Sequence, residues 1–337
     1  MSDVGARLRL ARQSAGISLS VMAARTHYGK GYLSNVETGR RAATADVILA
    51  YEKALGEDVD RRGLLIGLAA SAVAPAAVGQ LLRDGFSSAL GARVSVEEWE
   101  HRAQVLGVEY MNTGAAELQS RLARDLVVLQ QHLEEPRLWG VAARMVTTYG
   151  KTAVSRKVAV GWYQLAAMLA DRSEDIDTQV WVRARAALAL AYEAAELPTA
   201  REFAAQALAI SDKPSLGQLN AVVAQAHAAG AVGDRRSALK ALDRARRLFD
   251  VVASTEQVSD FAVPEWRFHT FTSMLLSRLG DLRAAEEQDA ADRSRPTSLP
   301  RFATHIELHR ALTLVKAGDV AAGQSYARDA MAKLPPE

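Results

Sequence analysis

The sequence predicts an all-α protein, and three observations support that fold class. Alanine is very frequent, and aromatic residues make up only 6% of the 337 residues, a composition that favours helices. No segment alternates clearly between polar and apolar residues, as a half-buried strand would. Small residues recur at seven-residue spacing after short turns in the C-terminal half, which indicates repeated helical hairpins.

The stretch from residue 16 to residue 39 predicts two short helices joined by a tight turn. Apolar residues recur on one side of both helices and predict a buried seam that the helices share. These residues are Ile17, Met22, Ala23, Leu33 and Val36. Ser18 is placed to cap the first helix and Gly39 to end the second. A projecting second helix of about 10–12 Å diameter fits the major groove of B-DNA.

The side chains that point away from this seam on the second helix are small, polar or cationic, so we expect them to face base edges. They are Lys30, Gly31, Tyr32 and Asn35. We expect Arg9, Arg40 and Arg41 to face phosphates. Residues 1–56 hold eight basic and four acidic side chains, whereas the whole chain holds 41 and 39. The positive excess is therefore confined to the part that would meet DNA.

The same stretch resembles the Cro/repressor-type helix-turn-helix family, also called the xenobiotic-response-element family. The family pattern matches without a gap at Gly16, Ser18, Met22-Ala23, Leu33-Ser34, Glu37 and Gly39. The resemblance covers about residues 3–58 and implies a domain of the five-helix type that binds a double-stranded DNA operator. It also implies a structural ion pair between Arg12 and Glu37.

Two positions depart from the family pattern. The glutamine that holds a phosphate in the family is Leu19 here, which puts that contact in question. The serine that opens the second helix is Gly29, which offers no side-chain oxygen as a cap.

The length allows two or three domains, and we expect a DNA-binding domain at 1–58 and a repeat domain at 95–337. Residues 59–94 predict an Ala/Gly-rich linker or a buried connecting helix. Arg61-Arg62 before an apolar run has the form of a twin-arginine export signal, but its position after a DNA-binding domain favours the linker. The chain has no cysteine and shows no signal peptide. We therefore expect a cytoplasmic protein with no membrane partner.

The repeat domain is predicted to begin with two helices, at 95–111 and 115–133, and to continue as hairpins. The first small residues of successive hairpins stand at positions 159, 200, 238, 285 and 323. Turns such as Gly233-Asp234 and Gly318-Asp319 precede them. This pattern resembles the tetratricopeptide family over about residues 138–335. An irregular all-α bundle is the alternative.

No motif predicts catalysis or a cofactor, so we expect no enzyme. His305 and His309 have a spacing that can bind a metal, but a third ligand is needed. The glutamate that follows the first histidine in zinc proteases is also missing. We expect no metal there and interpret the pair as solvated or facing a partner.

Stacked hairpins form a concave groove lined by the first helix of each hairpin. Asn and Gln can bind a peptide backbone, and Arg can bind a carboxylate. The residues that we expect in this groove are Arg183, Arg185, Asn220, Gln225, Trp266, His269, His305 and His309. Proteins that join the two domain types resemble the peptide-responsive quorum-sensing regulators of Gram-positive bacteria, which implies a peptide or small-molecule signal. The alternative is that the repeats serve only dimerisation or partner binding.

These observations predict a bacterial transcription regulator that binds DNA as a homodimer. The competing hypothesis is a protein-interaction scaffold whose small domain does not bind DNA. Leu19 favours this hypothesis, because the family has a phosphate-binding glutamine at this position.

Overall fold

The computed structural model describes residues 17–44, 94–153 and 155–334, and single positions at 5, 8, 9, 12, 46, 47, 50, 51 and 54. The chain divides into two compact units, residues 1–83 and 84–337. The described residues are helical or irregular and include no strand, which confirms the predicted all-α class. None of the helices among them is long and apolar enough to cross a membrane. The expected connecting segment at 59–94 lies, up to residue 93, outside the described residues.

The first unit contains the predicted helical pair, α1 (Leu19–Thr26) and α2 (Lys30–Glu37). Ser18 caps α1, because its side-chain oxygen accepts a hydrogen bond from a first-turn amide at 3.2 Å. Helix α2 is followed by Gly39 at φ +72°, a left-handed conformation that glycine adopts without strain and that ends helices. Both predicted helix boundaries are confirmed.

One apolar core holds the first unit together. Described positions before and after the helical pair are helical too and add side chains to the predicted seam. The fully packed members of this core are Leu8, Ile17, Met22, Leu33, Val36, Val47, Tyr51 and Ala54. Ala23, the remaining residue of the predicted seam, is partly buried against them. The core therefore fixes α2 on one side and leaves its other side outside the core.

The second unit is a series of helical hairpins. The α-helices of its described part are α3 (Val96–Asn112), α4 (Ala115–Leu129), α5 (Pro136–Lys151), α6 (Arg156–Arg172), α7 (Ile176–Tyr192), α8 (Leu197–Ile210), α9 (Leu216–Ala231), α10 (Arg235–Val252), α11 (Glu265–Arg278), α12 (Ala284–Ser294), α13 (Pro300–Lys316) and α14 (Val320–Met331). Each odd-numbered helix packs against the even-numbered helix that follows it. The odd-numbered helices also pack against one another in chain order, so the hairpins form a stacked array.

The turns of the array follow the predicted Gly-Asp pattern. Gly233, Gly280 and Gly318 have φ values of +78°, +63° and +102°, which glycine tolerates and other residues rarely adopt. Asp234 and Asp319 then cap the next helices, because each accepts a hydrogen bond from a first-turn amide at 3.0 Å. Each turn therefore ends one helix and starts the next.

The small residues pack where the two helices of a hairpin meet, with one correction to the predicted positions. Ala159, Ala200 and Ala238 are fully buried, as the spacing predicts. The prediction for Ala285 is wrong by one residue: it is exposed, and Ala284 is the buried position. A one-residue shift turns a side chain by about 100° around a helix of 3.6 residues per turn, so the sequence spacing alone did not resolve it.

The array closes on itself, because its last odd-numbered helix returns to its first. Arg301 of α13 donates a hydrogen bond to the Tyr110 carbonyl of α3 at 2.7 Å. The loop at 253–264, which lengthens one repeat, also reaches α3: the Asp260 amide donates to the Gly107 carbonyl at 2.8 Å. A Cβ on Gly107 would lie 2.6 Å from the Ser259 hydroxyl. Only glycine therefore lets the loop approach α3 this closely.

Candidate nucleic-acid interface

A buried ion pair fixes the position of α2. Arg12 donates two hydrogen bonds to Glu37, Nε to Oε1 and Nη2 to Oε2, each at 2.7 Å. The Tyr51 hydroxyl donates to the same carboxylate at 2.8 Å. Burial opposes ionisation of Glu37, but the hydrogen bonds from Arg12 and Tyr51 outweigh it and place the pKa of Glu37 below its usual value. The structural pair implied by the sequence is present in bidentate geometry, the strongest arrangement for these groups.

The opposite face of α2 is open to solvent. Lys30, Gly31 and Asn35 are all exposed. Glu37 is the single acidic residue of α2, and its carboxylate is turned into the core onto Arg12. The exposed face of the helix therefore carries a cation, an amide and no negative charge, which suits the approach of a polyanion.

Two arginines follow directly after α2. Arg40 and Arg41 are exposed, and the Arg41 amide donates to the Asn35 carbonyl at 3.0 Å. Cations near a helix C-terminus are stabilised by the helix dipole. Arg9 is exposed as well. Each predicted phosphate-facing arginine is thus accessible to solvent.

Tyr32 is placed differently from the other three residues expected at base edges. It is half-buried, and its ring stacks on Tyr28 with centroids 5.4 Å apart and an interplanar angle of 14°. The Arg41 guanidinium lies 4.5 Å from the centroid of the Tyr32 ring. We interpret Tyr32 as holding Arg41 in position through a cation–π contact.

The two departures from the family pattern have structural explanations. Leu19 is half-buried and packs against the core of the first unit, so this position contributes packing where the family has a polar side chain. Gly29 precedes α2 in an extended conformation and makes no side-chain cap. The first turn of α2 therefore leaves its amides without a side-chain acceptor.

The predicted groove residues of the second unit lie on odd-numbered helices, but most of them are occupied within the protein. Arg183 donates to both carboxylate oxygens of Asp171, at 2.8 and 2.7 Å. Trp266 is fully buried, and its Nε1 donates to the Gln257 carbonyl at 3.1 Å. Both side chains are buried and bonded within the protein, which contradicts their expected place in an open groove.

The remaining groove candidates are also scattered. His269 Nδ1 lies 2.5 Å from a Glu287 oxygen, Asn220 is buried with only 1% of its surface exposed, and Gln225 is half-buried. His309 is buried, contrary to its interpretation as solvated or facing a partner. Its ring nitrogens lie 2.7 Å from the Ser273 hydroxyl and 2.9 Å from the Tyr192 hydroxyl.

His305 and Arg185 are the two predicted groove residues that line the large cavity of the array. Burial, and then the charge of Arg301, lower the pKa of His305 to about 4, so its imidazole is neutral at pH 7. No group of three or more His, Asp or Glu side chains in the described part is arranged to hold a metal ion. The other charged side chains around the cavity, such as Lys151 and Arg301, were missed. They are far apart in the sequence and share no local motif.

Residues 3–65 match the family model of a helix-turn-helix domain. No curated protein and no solved structure matches the chain. The match coincides with the unit that contains α1 and α2, so the chain carries a helix-turn-helix domain at its N-terminal end. The match ends before the hairpin array, and the tetratricopeptide resemblance of the array stays a prediction.

Proposed function

We propose that this protein is a sequence-specific transcription regulator that reads DNA with α2. The observation that carries the proposal is the exposed face of α2, with Lys30 and Asn35 outward and Glu37 turned inward onto Arg12. An asparagine side chain can bond adenine with two hydrogen bonds, and a lysine can reach guanine. We assign phosphate contacts, which hold the helix in register, to Arg40 and Arg41, two exposed residues just beyond α2.

The second unit extends this proposal to a dimeric, signal-responsive regulator. One recognition helix reads only a few base pairs, so regulators of this kind bind as two-fold dimers on paired half-sites. We assign dimerisation to the hairpin array, which holds most of the chain, and propose that it receives a peptide or small-molecule signal. We propose no catalytic activity, and we place the protein in the cytoplasm with its DNA.

Sequence selection from genomic DNA tests the DNA-binding proposal directly. The full-length protein is mixed with sheared genomic fragments of its source organism at near-physiological salt, and the bound fragments are sequenced. We expect a shared sequence to be enriched. Recovery of fragments without any shared sequence would contradict sequence-specific binding.

Asn35→Ala tests whether α2 reads the bases. We expect this variant to lose about 1–3 kcal/mol of binding free energy on the enriched site and to relax the preference at one or two base pairs. Asn112→Ala is the matched control, because it makes the same change at an exposed helical position of the other unit. Unchanged affinity and preference in Asn35→Ala would show that α2 does not read the bases in this orientation.

Leu19 supports the competing proposal of a protein-interaction scaffold. Its side chain packs against the core where the family places a phosphate-binding glutamine, so one expected DNA contact is missing. Leu19→Gln separates the two proposals. A regulator should gain DNA affinity from the added polar contact, whereas a scaffold should show no DNA binding with either residue.

A further inference from the structure

The hairpin array forms a half-open cavity of about 420 Å³, lined mainly by its odd-numbered helices. The walls come from α3, α5, α6, α7, α11 and α13, and the contact between α13 and α3 closes one side. This volume lies within the range of about 300–1,000 Å³ typical of small-molecule sites. It is too small for a long extended peptide.

Much of the wall is aromatic. The rings are Tyr110, Tyr163, Tyr192, Phe271 and Phe302. Tyr192 is held in place because its hydroxyl lies 2.9 Å from Nε2 of His309, which is bonded in turn to Ser273. Rings fixed in this way form a preformed surface for an apolar body.

The polar part of the wall is strongly cationic. The basic side chains that line the cavity are Lys151, Arg156, Arg185, Arg267 and Arg301. Glu193 is the one acidic side chain among the lining residues, and it pairs with Arg156. Four of the five cations are therefore left without an acidic partner in the wall itself.

Asp260 lies behind three of these cations and compensates them only in part. Its Oδ1 accepts hydrogen bonds from Lys151 at 2.6 Å, from Arg185 at 2.8 Å and from Arg267 at 2.6 Å. The three basic side chains are 9%, 5% and 5% exposed. One carboxylate thus faces three buried cations, and burying charge without compensation is unfavourable.

Two donors in this group, Nε of Arg185 and Nε of Arg267, are buried without a hydrogen-bond partner among the described residues, as is Oδ2 of Asp260. Arg301 donates to the Tyr110 carbonyl and forms no ion pair within the described part of the chain. Burial, together with the charges of Arg185 and Arg267, holds the pKa of Lys151 well below its usual value despite Asp260. A further negative charge in the cavity would satisfy these groups.

We propose that this cavity binds a small organic anion. Its carboxylate or phosphate group lies near Arg185 and Arg301, and its aromatic or branched apolar body lies against Tyr192, Phe271 and Phe302. The ligand then links α7, α11 and α13, three of the helices that form the cavity wall. We further take this anion to be the signal of the proposed regulator, and only that step rests on the proposed function. Binding of the anion to the cavity requires no DNA.

Calorimetry on the full-length protein tests the proposal with matched pairs of probes. The pairs are benzoate with benzamide, phenylacetate with phenylacetamide, and indole-3-acetate with indole-3-acetamide, and each pair differs by one negative charge. We expect at least one acid to bind at one site per chain and at least tenfold more tightly than its amide. Phenyl phosphate compared with benzoate shows which anionic group the cavity prefers. Equal binding of every acid and its amide, or no binding of any acid at 10 mM, would overturn the proposal.

Variants of α13 locate the site. Arg301→Gln should weaken binding of the acid at least tenfold and leave binding of the amide unchanged, while Arg301→Lys should retain most of the affinity. Arg310→Gln is the matched control, because Arg310 lies on the same helix, bonds to Asp289 and Glu307 and does not line the cavity. Equal effects of Arg301→Gln and Arg310→Gln would overturn the assignment.

The DNA-binding assays and the anion-binding assays test the two proposals independently. Acid binding without DNA binding would contradict the proposed regulator and support the anion site. DNA binding without acid binding would support the regulator and contradict the anion site.

Discussion

At the scale of single residues, the pair of Arg12 and Glu37 decides whether α2 keeps its position. Arg12 also donates to the Ile17 carbonyl at 2.8 Å, so this one side chain links the helix before α1, the start of α1 and the end of α2. Loss of one partner from a buried ion pair leaves the other charge uncompensated, at a cost of about 3–5 kcal/mol. That is a large share of the stability of a small domain, which is about 5–15 kcal/mol.

Glu37→Ala should therefore unfold the first unit and leave the hairpin array folded. Limited proteolysis of the full-length protein, read by mass spectrometry, measures this, because cleavage should move into residues 1–58. Asp46→Ala is the control, since Asp46 is an exposed acid of the same unit. If the Glu37→Ala chain resisted the protease as well as the parent, the ion pair would not hold the domain together.

At the scale of helices, the close contact between α13 and α14 depends on Gly323. A Cβ at this position would lie 2.6 Å from Cγ2 of Val315 and 2.8 Å from the Ala311 carbonyl oxygen. Gly323→Ala should destabilise the last hairpin by about 1–3 kcal/mol through overpacking. Hydrogen exchange of α13 and α14 measures the loss.

Gly161→Ala makes the same change where there is room. Gly161 is exposed in the middle of α6, and a Cβ added there would have no atom of a neighbouring element within 4 Å. The substitution should stabilise the array by about 0.5–1 kcal/mol, because alanine is more stable than glycine in the interior of a helix. If Gly323→Ala and Gly161→Ala changed the stability of the array in the same direction, the packing described at Gly323 would be contradicted.

Buried histidines give the array a pH dependence. Burial is the main cause that lowers the pKa of His227 and His309 to about 3 and that of His305 to about 4, from a usual 6.5. Between the lowered pKa values and 6.5, the unfolded chain binds more protons than the folded chain. The stability that the neutral histidines contribute is therefore complete above about pH 6.5 and is lost as the pH falls toward 4. His269 acts in the opposite direction, because the hydrogen bond to Glu287 raises its pKa, but it is one residue against three.

The melting temperature of the array should therefore be lower at pH 5 than at pH 7.5. Most carboxylates remain ionised in this range, so the histidines dominate the difference. An equal or higher melting temperature at pH 5 would show that these histidines do not lie in the buried, neutral environment described for them.

At the scale of the whole molecule, features set by neighbouring residues were predictable, and features set by distant residues were not. Ser18, Gly39 and the Gly-Asp turns act within one helical turn, so their sequence signals were sufficient. Lys151 and Asp260 are 109 positions apart, and they meet because the 253–264 loop returns to α3, which packs against α5, the helix that ends at Lys151. No local pattern encodes that closure.

The predicted groove failed for a related reason. Helices α7 and α9 are buried on nearly all sides, and a helix that is apolar all round shows no periodicity that separates an inner from an outer face. Arg183 and Asn220, which lie on these two helices, were therefore assigned to a groove although both are buried. Their polar groups gave no sign of their direction.

Dimerisation is a prediction about the complete chain. Light scattering at micromolar concentration should give twice the chain mass of 36.3 kDa. Footprinting on the enriched site should show two protected half-sites whose centres are about 34 Å apart, or a multiple of that distance. A monomer that protects a single half-site would contradict two-fold binding.

DNA recognition by α2 and its flanking arginines is tested by the salt dependence of binding to the enriched site. The logarithm of the binding constant should fall linearly with the logarithm of salt concentration, by about 0.9 for each phosphate neutralised. Arg40→Ala should reduce that slope by about one and weaken all DNA sequences equally, whereas Arg236→Ala, at an exposed position of the array, should leave the slope unchanged. A slope near zero, or equal slopes for Arg40→Ala and the parent, would contradict an interface built from α2 and the arginines that follow it.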